Sequence, residues 1–295
     1  MPIFPQKGYR PEYVPSDVRE PRENGIYAKT KIEAFIRYCK AAELVFKGQK
    51  DRGKIRKIVH FEPFCGPGRN RTKDRSSVFE GTPLRAVNEL KHYDVFIFND
   101  HDKTVMDALY SELVDLKFDK NLDVEIYLFV EDANQVVQDL DTVLPKRIDR
   151  AFPFLGTVIV DPEDLWFSWS STETLAGRRL DLLEMVPTDF DLARNLKNPS
   201  AQTYLGNWLG EAPPSDVLEE VLARYEGKLA TKYKWVLGTS TNPLPEKEYI
   251  WVKGKYHLIS ASNCPNDVAS KIWTGEVLRT VRATKGNPLF SDLDL

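Results

Sequence analysis

Five short apolar runs, at 58–64, 95–98, 124–130, 157–160 and 182–186, constrain this chain more than any other feature. Rich in Val, Ile and Phe, they fit strands covered on both faces. Between them, residues 83–90, 103–116 and 134–144 have helical character, and residues 27–46 carry apolar side chains close to helical spacing ahead of the first run. Thr82 followed by Pro83 reads as an N-cap with proline at the first helical position. Alternating strand and helix implies a parallel sheet with crossover helices. The expected fold is therefore α/β, a Rossmann-like, mostly parallel central sheet with helices on both faces and a C-terminal elaboration.

Beyond residue 186 the rhythm loosens. Residues 199–216 carry prolines, glycines, Tyr204 and Trp208, and read as an insertion; 215–225 resumes as helix, and 234–237 and 256–260 read as closing strands. The chain is expected to comprise an extended lead (1–26), one Rossmann-like domain (27–286) with a cap or insertion near 188–232, and a tail (287–295). At 42% hydrophobic and 29% charged residues, disorder is excluded. The polar, proline-rich first 22 residues and the absence of a long apolar run lead to the expectation of a cytoplasmic protein without a membrane span. Three cysteines without CxxC spacing and four scattered histidines give no disulfide framework and no metal-ligand pattern. His60, inside a strand, reads as a core histidine.

Chemistry concentrates where the apolar runs end. The first run closes in Phe64-Cys65-Gly66-Pro67-Gly68-Arg69, a small-residue turn at the carboxyl end of a strand, where open α/β sheets bind ligands. The second ends in Asn99-Asp100, where a Rossmann-like fold places a carboxylate for ribose hydroxyls, after a delay that makes 70–80 look like an inserted loop. Either Asp100 or Asp102 also suits the cap of the next helix. The third ends in Glu131-Asp132-Ala133-Asn134; Asp132 suits an adenine amine or a helix cap. The fourth ends in Asp161-Pro162-Glu163-Asp164, with Trp166 at the same edge. Net charge is only -3, yet from Lys47 to Arg75 ten basic residues face three acidic ones. That segment reads as a solvated loop or as a grip for a polyanion.

The lysine-bearing Ala28-Lys29-Thr30-Lys31, the turn 64–69, Gly81-Thr82-Pro83-Leu84, the strand end 96–102, Asp161-Pro162 and the late Tyr256-His257-Leu258-Ile259-Ser260-Ala261-Ser262 together resemble the three-Cys-motif partner (TcmP) family, over roughly residues 27–273. The resemblance implies a class I methyltransferase-like fold, S-adenosylmethionine (SAM) as cofactor, and a three-Cys-motif protein similar to radical-SAM enzymes as partner. The chain departs from the family at Cys65, where alanine is usual, and at Glu163-Asp164, where Phe-Gly is usual. On this reading, cofactor contacts come from Glu62, Phe64, Cys65, Gly66 and Gly68, from Asp100 and His101, from Asp132 and Ala133, and from Asp161. Substrate contacts come from Lys29, Lys31, Arg69, Arg71 and Trp166, with a nucleic acid or nucleotide as methyl acceptor. Asp161, Glu163 and Asp164 are the candidate catalytic carboxylates. No Asp/Asn-Pro-Pro-Tyr/Phe tetrapeptide follows the fourth strand, and no Pro-Cys pair offers a cytosine-attacking thiol. A catalytically inactive SAM- or nucleotide-binding subunit and a metal-dependent nucleic-acid-processing enzyme remain the alternatives.

Overall fold

The computed structural model describes residues 14–15, 20–24, 27–120, 123–140, 154–178, 180–237, 251–252, 256–264, 268–272, 275–276 and 280. The first apolar runs become β2 (Ile58–Glu62), β5 (Val95–Asn99), β6 (Glu125–Phe129), β7 (Leu155–Val160) and β8 (Leu180–Pro187). β2, β5 and β8 are buried at every position, as a strand covered on both faces must be. The closing strands are β9 (Trp235–Leu237), β10 (Trp251–Val252) and β11 (Tyr256–Ser262).

These strands form an eight-stranded, mostly parallel sheet in the order β10-β11-β8-β7-β2-β5-β6, with β9 also paired to β11. Neighbours from β8 to β6 run parallel, whereas β11 lies antiparallel to β8, β9 and β10. From β2 the chain builds outward through β5 to β6, then returns to place β7 on the other side of β2. The strand order therefore reverses between β2 and β7, the point at which an open α/β sheet leaves a crevice. At Gly156 the two backbones approach so closely that a Cβ would overlap the Val59 carbonyl oxygen.

Helices cover both faces. One face is packed by α1 (Tyr27–Asp51), α2 (Thr82–Glu89) and α3 (Lys103–Lys120), with Phe35, Ile36, Leu84 and Leu109 in its core. The other is packed by α4 (Ala133–Gln138), α5 (Trp169–Ala176), α7 (Gln202–Leu209) and α8 (Leu218–Lys232), which follow the short α6 (Ala193–Leu196). Trp208 stacks on Tyr225 at 4.4 Å in that second core. The loosened segment after β8 thus supplies part of the helical layer of one sheet face, beside α4 and α5. A further helix, α9, spans Val268–Ile272. Among the described residues no helix is long and apolar enough to cross a membrane.

Several local expectations are corrected. Residues 70–80 are a β-hairpin rather than a loop: β3 (Arg69–Thr72) pairs antiparallel with β4 (Val78–Glu80). The lead strand β1 (Arg22–Asn24) pairs in parallel with β3, giving a separate three-stranded sheet, hereafter the flap. Gly81, not Thr82, is the N-cap of α2, and Thr82 is its first residue. The helix expected over 134–144 is α4, with 141–144 outside the described residues, as is the tail at 287–295.

Candidate functional site

The turn after β2 is shaped by glycine. Gly66 and Gly68 adopt φ of +69° and +85°, a region that side chains with a Cβ rarely enter. A Cβ at Gly68 would also lie 2.9 Å from Leu109 Cδ1 and 3.1 Å from Leu84 Cγ, whereas Gly66 faces open space and so offers bare backbone. The Gly81 amide donates to the Gly68 carbonyl at 2.6 Å and closes the base of the hairpin.

Above this turn lies an open cleft of about 670 Å³, its mouth included, at the crossover between β2 and β7. Phe64, Cys65, Gly66 and Gly68 form one wall, Lys31 of α1 another, and Asp161 and Glu163 a third. Lys31 Nζ reaches both carboxylate oxygens of Asp161, at 2.6 and 2.9 Å, as a shielded ion pair. Arg22 and Asn24 come from the lead strand and Asn70 from the hairpin, none of them singled out by motif reading. Arg22 pairs with Glu163 across the mouth.

Beside the cleft, Asp100 accepts from the Gly66 amide at 3.3 Å and from the Asp102 amide at 3.0 Å. The cap of α3 falls to Asp102, which accepts from the amide and hydroxyl of Thr104. Asp132 caps α4, accepting from the amides of Asn134 and Gln135 through one oxygen; Ala133 is buried behind it. Asn99, completely buried, donates to the carbonyls of Pro63 and Glu131, each at 3.0 Å, and accepts from the Glu131 amide. One carboxamide therefore fixes three strand ends together.

On the outer lip, His101 meets the exposed Trp166 edge to face at 6.2 Å. Asn134 holds that loop, donating to the Trp166 carbonyl and accepting from the Ser168 amide and Ser171 hydroxyl. The Leu165 amide donates to Asp191 and to the Tyr204 hydroxyl, which itself donates to Asp191. Burial and then the Asp191 charge raise the Asp164 carboxyl from its ordinary value.

Other candidates lie outside the cleft. Glu62 does not line it: it is buried behind the turn, its Oε1 2.7 Å from His60 Nε2, and burial, then Asp161, pushes its carboxyl well up. Burial pushes His60 down to about 3, and its Nε2 shares a hydrogen bond with the Glu62 carboxyl. His60 Nδ1 meets Thr157 Oγ1 at 3.0 Å, as befits a satisfied core histidine. Lys29 points to the flap, donating to Ser77 and lying 5.0 Å above the Phe79 ring. Arg69 pairs with Glu112 of α3, and Arg71 lies on β3 away from the cleft lining. Cys65 does line the cleft, but its thiol packs against Met106 and is raised well above its ordinary value by burial and then by Asp100, which disfavours the nucleophilic thiolate.

Fold and crevice define a Rossmann-like α/β protein with a ligand cleft at its topological switch point. No family model matches the chain, and no curated protein matches its sequence; the likeness to three-Cys-motif partners remains a resemblance. Among solved structures, protein LPL1258 from Legionella pneumophila str. Philadelphia 1, of the DUF519 family, is similar at 13% identity and a TM-score of 0.47, over 86% of this chain and 94% of that one. Trm1 from Pyrococcus horikoshii, solved with S-adenosyl-L-methionine, is similar at 10% identity and a TM-score of 0.47. That match covers 88% of this chain and 61% of Trm1.

Proposed function

We propose that this protein is a SAM-dependent methyltransferase acting on a nucleic acid or nucleotide. The observation that carries the reading is the cleft itself: bare Gly66 backbone beside a shielded Lys31–Asp161 pair at the switch point. A zwitterionic amino-acid end needs one cation for its carboxylate and one anion for its ammonium, and the pair supplies both. Asp100, at the end of the adjacent strand, is the acceptor for the ribose hydroxyls, and Asp132 with His101 borders the base.

When bound, SAM supplies a methyl group already activated on a sulfonium. The chain's own task is then to hold the acceptor atom in line and to take its proton. Asp164 suits the second role best of the three carboxylates. Asp161 is engaged by Lys31 and Glu163 by Arg22, whereas Asp164 has no cation paired with it among the described residues and burial raises its carboxyl from the ordinary value. The three-Cys-motif protein implied by the family resemblance is the proposed partner.

A titration tests the cofactor reading. SAM and S-adenosylhomocysteine should raise the melting temperature by mass action, and Asp100→Ala should weaken their binding about ten- to a hundredfold. A melt unchanged at millimolar ligand would remove SAM from the proposal.

A further inference from the structure

The mouth of the cleft contains a second ion pair that differs from the first. Lys31 and Asp161 are only 14% and 20% exposed, whereas Arg22 and Glu163 are 40% and 73% exposed. Water and salt screen the outer pair, and exposed pairs of this kind hold together weakly. An anion arriving at the mouth can therefore displace Glu163 from Arg22 at little cost, while the inner pair stays intact. The guanidinium is planar and presents paired donors that match phosphate oxygens. Asn24 and Asn70 stand in the same wall with carboxamide groups, linked by a bond from Asn24 Nδ2 to Asn70 Oδ1.

The surface leading to Arg22 has a matching charge. Within the flap, at residues 22–24 and 69–80, five basic side chains stand against three acidic ones, Glu23, Asp74 and Glu80; Arg75 is paired with Glu23 and Arg69 with Glu112 of α3, so the cationic excess is small and lies at Arg71 and Lys73. Arg22 sits opposite Asn70 in the strand register and so lies at the cleft end of this surface.

We propose that Arg22 is a phosphate subsite for the acceptor, delivered by the lead strand, and that Glu163 is the internal anion exchanged when the acceptor docks. The identity of the acceptor rests on the methyltransferase reading; the exchange itself does not.

The test is a double-mutant cycle on the full chain, with binding of a mixed-sequence single-stranded RNA decamer followed by fluorescence anisotropy. Glu163→Gln should tighten binding about two- to fivefold, since it removes the competitor. Arg22→Gln should weaken binding and lower the log-log salt slope by about 0.7, the share of one phosphate on a single strand. The double variant should match Arg22→Gln. Tightening by Glu163→Gln that persists without Arg22 would mean bulk charge alone, and would overturn the proposal; so would the absence of any tightening, or no binding by the parent chain. AMP serves as a second probe: if it shows the same pattern, the phosphate belongs to a mononucleotide, and if only the decamer does, to a strand.

S-adenosylhomocysteine is titrated into the same variants. Arg22→Gln should weaken binding of the decamer more than it weakens binding of S-adenosylhomocysteine; an equal loss for both would assign Arg22 to the cofactor and overturn the proposal. If the parent chain binds RNA with the expected cycle but not S-adenosylhomocysteine, the cofactor reading fails and the anion exchange stands.

Discussion

In the large sheet, β2, β5 and β8 are buried along their whole length and meet their neighbours mostly through apolar side chains. In the flap, β1 and β4 have no buried position, and much of what fastens it is polar. Its fastenings include Arg22–Glu163, Arg75–Glu23 and Lys29 to Ser77. A three-stranded sheet with so little apolar surface has a small margin of stability, whereas the large sheet is determined many times over. The difference teaches where movement belongs. The cleft floor is built to stay fixed, and its outer wall is built to exchange partners.

The sharpest way to break this contrast is to attack the floor. In Gly156→Ala the new methyl would overlap the Val59 carbonyl, and β7 would have to part from β2. Neither backbone can yield cheaply, so a loss above about 4 kcal/mol is expected by urea denaturation. Near-parental stability in the Gly156→Ala variant would show that the sheet centre is far more compliant than its packing implies.

A pH titration probes a different part of the same rigid body. Burial raises Asp181 to about 6 and Glu184 to about 7, so the folded chain binds protons that the unfolded chain has released. Folded values above unfolded ones mean stability present at pH 4 and lost as pH rises through 6 and 7. Glu184 alone accounts for about 3 kcal/mol of that fall. Glu184→Gln keeps an acceptor for the Tyr225 hydroxyl, which donates at 2.6 Å, and should flatten the curve and stabilise the protein at pH 8. Denaturation midpoints at pH 5 and pH 8 check both the sign and the size.

Asn99→Ala should cost about 2 to 3 kcal/mol, because it strips a donor from the buried Pro63 carbonyl and both a donor and an acceptor from the part-buried Glu131 backbone. The flap should respond least. Arg75→Ala breaks an exposed pair and should shift stability by under about 1 kcal/mol. A flap variant as costly as Asn99→Ala would erase the distinction between floor and wall.

The elements of the large sheet were legible because burial on both faces demands uninterrupted apolar runs, and a parallel order demands helices between them. The flap was not. Its strands are three or four residues of mixed polarity, Arg22–Asn24, Arg69–Thr72 and Val78–Glu80, with no period-two pattern to betray a buried face. Helix α7 was hidden for another reason: glycine and proline around Tyr204 and Trp208 read as irregular chain, but Leu205, Trp208 and Leu209 fill the second core. Of the site, the glycine turn and the acidic strand ends stood out by residue type and position. Arg22, Asn24 and Asn99 did not, since an asparagine at a strand end or an arginine in a polar lead has many uses.

The sequence by itself determined the layered α/β architecture and the edge of the sheet where chemistry gathers, because both follow from local pattern: apolar period, turn residues and the charge that ends each strand. Which carboxylate meets which cation was decided only by the tertiary structure. Lys31 and Asp161 are 130 positions apart and become partners because the strand order reverses between β2 and β7, bringing α1 over the end of a strand that comes far later in the chain. Strand alternation puts Glu62 on the same face of β2 as His60, behind the turn, although its place in the motif is next to the cleft. Pairing across such separations depends on sheet order and packing, which no local pattern encodes.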